Sequence, residues 1–150
     1  MTEQQRPANV PSPATTARII HAAITAGVVI LFAVFLFLRT RMRPEFPAET
    51  AGILKWVAVA VLVASAFGSY LVRSRIPAPA PAPASGSGRD EWWKAVQPKA
   101  VVCWAIAEGG GLAALAVGWI TGNTTLMALG AGVALAMLFV SRPGALEGSV

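Results

Sequence analysis

Glu108 is the residue of this 150-residue sequence whose chemistry most needs an explanation. It stands inside an apolar run, residues 100–120, that holds no other acidic or basic side chain. If the run is a membrane-spanning helix, a rise of about 1.5 Å per residue places this carboxyl about 12 Å below the first residue. An ionised carboxyl costs about 2.5–3.5 kcal/mol at the centre of a span on insertion scales. We therefore expect Glu108 to be neutral, paired or facing a polar cavity.

Two other polar side chains reach a similar depth in neighbouring apolar runs. His21 lies about 6 Å inside the first run, and Ser65 lies about 10 Å inside the second, which crosses in the opposite direction. One hypothesis makes Glu108 a proton-binding or ion-binding carboxyl with His21 as a relay. A second makes it a hydrogen-bonding group that holds helices together. A third has Glu108 contact a separate partner subunit.

Four apolar runs must position these residues. Hydrophobic residues make up 55% of the chain and charged residues only 13%, against about 25% charged in typical soluble domains. Each run approaches or exceeds the length that crosses a hydrocarbon core of about 30 Å. We therefore predict an all-α, polytopic membrane protein with four transmembrane helices in two antiparallel hairpins. The four predicted spans are residues 17–38, 56–72, 100–120 and 124–140.

The segments around the spans have their own composition. Alternating Pro and Ala, followed by Ser and Gly, predict an extended and then flexible linker between the second and third spans. Trp92 and Trp93 stand among charged residues just before the third span, which predicts an interfacial anchor. The predicted segments are a disordered tail at 1–16, a hairpin at 17–75, the linker and interfacial segment at 76–97, a second hairpin at 98–142 and a tail at 143–150.

Small residues recur every four positions along the third span, at Gly110, Ala114, Gly118 and Gly122. Such a ridge lets another helix approach closely, and the fourth span also carries small residues. We predict that the ridge packs the third helix against the fourth. Because Glu108 lies about 200° around the helix from Gly110, it should face the other two helices or another subunit.

The stretch at 104–115, Trp-Ala-Ile-Ala-Glu-Gly-Gly-Gly-Leu-Ala-Ala-Leu, carries a resemblance. It resembles the ion-carrying helix of rotary ATP synthase c-subunits, where A-x-x-E-x-x-x-L-x-x-L surrounds the carboxyl, and this implies that Glu108 is an ion site. No run here supplies the G-x-G-x-G-x-G of their partner helix. The four-span layout and Ala105-Ile-Ala-Glu108-Gly109 also resemble small uncharacterised bacterial four-helix membrane proteins with an A-L-x-E-G-like motif. That second resemblance implies no particular activity.

The sequence lacks the motifs of several common catalytic, nucleotide-binding and haem-binding sites. There is no H-E-x-x-H, G-x-x-x-x-G-K-[ST], G-x-S-x-G or C-x-x-C-H. With one His and one Cys, the chain is not expected to hold a metal, a cofactor or an enzyme active site. The net charge of +5 does not indicate nucleic acid, because the basic residues are dispersed at the ends of apolar runs.

The basic residues also predict an orientation. Eight of the twelve Lys and Arg fall on the side of the N-terminus and four on the other side, which favours both termini in the cytoplasm of a bacterial inner membrane. We expect a non-enzymatic accessory or structural component of a membrane complex. The alternative is a small oligomeric transporter or a proton- or ion-conducting component. The expected partners are the lipid bilayer and either other membrane subunits or copies of this chain.

Overall fold

All regular structure in the described residues, which are 11–42, 46–79 and 86–148 of a computed structural model, is helical. This confirms the predicted all-α class. Three of the helices are long and apolar enough to cross a membrane, and a fourth is apolar but shorter. The helices are α1 (Pro13–Arg41), α2 (Ala48–Ser74), α3 (Gly86–Ile120), α4 (Thr124–Val140) and α5 (Pro143–Leu146).

The first helix begins before the predicted span. Ser12 caps α1, because its side-chain oxygen accepts a hydrogen bond of 3.2 Å from the backbone N–H of Thr15. Pro13 follows in the first turn, where its missing N–H costs nothing. The predicted disordered tail is therefore helical from Pro13 onward, and residues 1–10 lie outside the described part of the chain.

The third helix extends far beyond the predicted span. It begins at Gly86 and continues through Pro98, although proline favours the first turn of a helix over its interior. Pro98 removes one backbone hydrogen bond from the helix, but Trp93 and Val96 on the added turns are fully buried. Burial of these apolar side chains offsets the cost of Pro98 inside the helix. Much of the predicted linker and interfacial segment is therefore part of α3.

The bundle is organised around α3. This helix packs against α1, α2 and α4, whereas α1 and α2 do not form such a packed pair with each other within the described ranges. In the most apolar stretch of α3, 44% of the residues are buried, compared with 6% in α1 and 11% in α2. The outer helices therefore leave most of their apolar surface exposed.

Specific contacts give the helix directions. Ser69 of α2 contacts Cys103 and Ser65 contacts Gly110, so α2 runs antiparallel to α3. In α1, His21 contacts Trp104 and Phe35 contacts Trp119, so α1 runs parallel to α3. The end where α1 and α3 begin and where α2 and α4 end is called the entry end below.

The fourth helix packs on α3 through glycine. A Cβ built on Gly130 would lie 2.7 Å from the carbonyl oxygen of Gly111, and one built on Gly118 would lie 2.7 Å from the backbone nitrogen of Met127. These contacts run in opposite directions along the two helices, which are therefore antiparallel. The intervening turn places Gly122 at φ +71°, and Asn123 caps α4 by accepting a 3.0 Å bond from the N–H of Leu126.

The small-residue ridge is divided between neighbours. Ala114 and Gly118 face α4, as expected, but Gly110 packs against Ser65 of α2. Gly122 lies after α3 and borders the guanidinium of Arg39. The closest approach to α4 uses Gly111, which the four-residue spacing did not include.

Adjacent glycines provide a matched test of this packing. Gly111→Ala should lower the free energy of unfolding by about 1–3 kcal/mol, because its methyl group would collide with Ala134 and lie 2.8 Å from the Gly130 carbonyl oxygen. Gly109→Ala is the control, since a Cβ there meets nothing within 4 Å. Thermal unfolding in detergent measures both, and equal effects would contradict the close α3–α4 approach.

Candidate functional site around Glu108

The carboxyl of Glu108 lies between α3 and α1. The side chain is half-buried, and a Cβ built on Gly27 of α1 would lie 3.6 Å from its Oε1. Glu108 shares this side of α3 with Trp104 and Trp119, which contact α1 one helical turn before it and about three turns after it. The missing side chain of Gly27 leaves room for the carboxyl next to the α1 backbone.

Glu108 has no polar partner within the described residues. No hydrogen bond or ion pair joins its carboxyl to any of them. The groups expected to approach it are engaged elsewhere or lie on another side of α3. The structure therefore does not gather Glu108, His21 and Ser65 into one hydrogen-bonded site.

His21 lies one helical turn closer to the entry end. Its Nε2 donates to the carbonyl oxygen of Leu138 at 2.9 Å, which ties α1 to α4. Its ring packs edge-on against Trp104, with the ring centroids 5.0 Å apart. Trp104 precedes Glu108 by four residues, so the imidazole and the carboxyl occupy successive turns along one side of α3.

Ser65 lies on a different side of α3. It contacts Gly110, which is about 200° around the helix from Glu108. Its hydroxyl therefore borders the α2–α3 contact, whereas the carboxyl of Glu108 borders the α1–α3 contact.

Two buried polar side chains near the entry end are hydrogen-bonded. Ser69 donates to the carbonyl oxygen of Cys103 at 3.1 Å, and the indole N–H of Trp104 donates to the carbonyl oxygen of Ser141 at 2.8 Å. Buried polar groups are normally paired in this way, and the need is greatest in lipid. Among the described residues, the carboxyl of Glu108 is unpaired, and so is the buried indole N–H of Trp119, about three turns further along the same side of α3.

The two tryptophans predicted as interfacial anchors differ in burial. Trp93 is fully buried, and its indole N–H donates to Oε1 of Glu147 at 2.8 Å. Trp92 is half-buried and donates to the carbonyl oxygen of Pro77 at 3.1 Å. Trp93 thus belongs to the protein interior, and Trp92 ties the start of the Pro-Ala segment to α3.

Two aromatic residues of α2 have the exposure that an interfacial anchor needs. Trp56 is 70% exposed beside Lys55, and Tyr70 is 57% exposed three residues before Arg73. They lie near opposite ends of the apolar part of α2, about 21 Å apart along the helix. The sequence signal that could have identified these two residues is an aromatic side chain close to a basic one at the end of an apolar run.

One side of α3 has none of the described helices packed on it. Val102, Ala105 and Gly109 are exposed and lie within about 60° of each other around the helix axis. This open side lies between the sides that contact α1 and α2, and Glu108 borders it on the α1 side. Two of its three residues are small, which suits close approach of another helix.

Neither a metal cluster nor a known relative helps to define the site. Within the described ranges, no group of three or more His, Cys, Asp or Glu side chains could hold a metal ion. Comparisons with protein-family models, curated proteins and solved structures found no match to this chain. The arrangement around Glu108 therefore carries the functional argument alone.

Proposed function

We propose that this chain is a non-enzymatic accessory or structural component of a complex in a bacterial cytoplasmic membrane. Its three long helices and the shorter α4 cross the bilayer in alternating directions, as two antiparallel hairpins, of which α3–α4 is closely packed and α1–α2 is joined by its loop. The observation that carries the proposal is the open side of α3 with the unpaired carboxyl of Glu108 at its border. Lipid tails offer no hydrogen-bond donor, so a polar group on a partner helix would best satisfy the carboxyl of Glu108.

The exposed apolar surface supports a membrane location. Large apolar residues such as Ile30, Val63 and Phe67 are at least 60% exposed on α1 and α2. A surface of this kind is compatible with lipid and unfavourable in water. The aromatic residues Trp56 and Tyr70 would then meet the two headgroup regions.

The proposed orientation places the entry end in the cytoplasm, together with both termini. The eight-to-four distribution of basic residues supports this orientation. Reporter fusions at Val150 and within residues 77–88 should both give the cytoplasmic signal in intact cells. An external signal at either position contradicts the proposed topology.

Site-specific photo-crosslinking tests the assembly directly. A benzophenone amino acid in place of Val102, on the open side of α3, should form adducts with a second protein chain in native membranes. The same residue in place of Val63 is the control, since Val63 is 63% exposed on α2, away from that side. Glu108→Leu should reduce the Val102 adducts because leucine offers the partner no hydrogen-bonding group, whereas Glu108→Gln, which keeps one, should reduce them less. No adduct with another chain at Val102, or equal adducts at both positions, contradicts the proposal.

A second candidate function is proton or ion transfer by Glu108 in an oligomer. The position of its carboxyl beside Gly27, without a partner in the chain, favours this alternative. The resemblance of residues 104–115 to the c-subunit helix suggests the same role. Assembly would be needed, because the described helices pack around α3 rather than around a central pore.

Flux measurements in reconstituted vesicles test this alternative. If Glu108 carries protons or ions, Glu108→Gln should reduce pH-dependent flux to the level of protein-free vesicles while the helical content is unchanged. Gly27→Leu should also reduce the flux, because it fills the space beside the carboxyl. Ser65→Ala is the control on the opposite side of α3. Absence of flux from the wild-type protein under a proton or sodium gradient rejects the alternative.

A further inference from the structure

The C-terminal segment, residues 143–148, folds back onto the entry end instead of extending as the predicted tail. Pro143 and Leu146 are buried, and the short helix α5 packs on α1. The side chain of Glu147, which follows α5, is only 6% exposed. A carboxylate buried to this degree needs partners that compensate for its lost hydration.

Three side chains from two other helices supply those partners. The indole N–H of Trp93 donates to Oε1 of Glu147 at 2.8 Å. The guanidinium groups of Arg89 and Arg18 lie 3.3 and 3.5 Å from Oε2. One carboxylate thereby connects the start of α1, the first turns of α3 and the end of the chain.

The attraction between Oε2 of Glu147 and the two guanidinium groups depends on charge more than on hydrogen-bond geometry. This buried oxygen has no aligned hydrogen bond with a described residue. The side chains of Arg18 and Arg89 are 56% and 54% exposed, so both can return to water when the carboxylate leaves. Departure of Glu147 therefore leaves no buried cation behind.

We infer that Arg18, Arg89 and Trp93 form a carboxylate-binding site that the chain fills with its own Glu147. We further infer that the C-terminal segment opens and closes on this site while α1 to α4 stay packed. The segment packs on α1 and adds Leu146 to the core, whereas the α3–α4, α2–α3 and α1–α3 contacts do not involve it. Small units of this kind open at a lower free energy than the whole fold.

Opening of the segment would change the surface of the entry end. Trp93 and Ala17 are both fully buried in the closed state. The open state would present an indole N–H and two guanidinium groups beside an apolar surface. That combination suits a carboxylate next to an aliphatic side chain, which is the pattern that Leu146 and Glu147 provide from within the chain.

Hydrogen exchange of the full-length protein in detergent micelles tests the inference. The backbone N–H groups of Leu146 and Glu147 bond within the segment, to the carbonyl oxygens of Arg142 and Pro143 at 3.1 and 3.0 Å. A helix this short is not stable by itself, so these bonds break when the segment leaves α1 and their exchange reports whether it is closed. Glu147→Gln keeps an acceptor for Trp93 but loses the charge attraction. It should accelerate exchange at these two positions by about tenfold or more and leave the helix around Gly111 unchanged.

Glu91→Gln is the matched control, because it removes an exposed carboxylate from α3 and should leave the exchange of the segment unchanged. The double variant Arg18→Gln, Arg89→Gln removes the two positive charges that face Glu147. It should reproduce the effect of Glu147→Gln. Wild-type exchange rates in both the Glu147 variant and the double variant overturn the carboxylate site. Acceleration that spreads equally to α3 and α4 overturns the independent opening of the segment.

Discussion

The close contact of three neighbours with α3 is the constraint on which the rest of the structure depends. The Gly111 and Gly130 backbones meet so closely that a Cβ on Gly130 would lie 2.7 Å from the opposite carbonyl oxygen. On another side, Gly110 admits Ser65 of α2. In the proposed membrane location, small residues substitute for the hydrophobic driving force that packs soluble helices, because this force is absent between helices in lipid.

The same packing explains why Glu108 differs from the other polar groups. His21, Ser69 and Trp104 each reach a backbone carbonyl oxygen on another helix near the entry end. Glu108 lies one turn deeper than Trp104, where the nearest part of α1 is Gly27, which offers space but no side-chain donor. In the two functions proposed, its partner is a group of another chain or a bound proton or ion.

The helices follow largely from the local sequence, because length and apolar content act within each segment. The predicted spans at 17–38 and 56–72 lie inside α1 and α2, and the one at 124–140 has the same bounds as α4. The start of α3 could not be predicted in the same way. Pro98 by itself predicts that the helix begins near that residue. The burial of Trp93, which extends the helix, depends on residues more than fifty positions away in the chain.

The candidate site was only partly accessible to sequence reasoning. The depth of Glu108 follows from helical rise alone, but its nearest neighbour depends on how α3 is rotated against α1 and α2. Ser65 has a suitable depth and faces the wrong side of α3. Glu147 gave no local signal, because its partners Arg18, Arg89 and Trp93 lie in distant segments of the chain.

The central claim is that Glu108 finds its polar partner outside this chain. Native mass spectrometry of the protein, extracted from its own membranes in a mild detergent, tests this most directly. The account predicts that the wild-type chain is released together with a second copy or another membrane subunit, and that Glu108→Leu, which offers no hydrogen-bonding group, shifts the population toward the single chain. A wild-type protein that is released only as a single chain, indistinguishable from the variant, would contradict it.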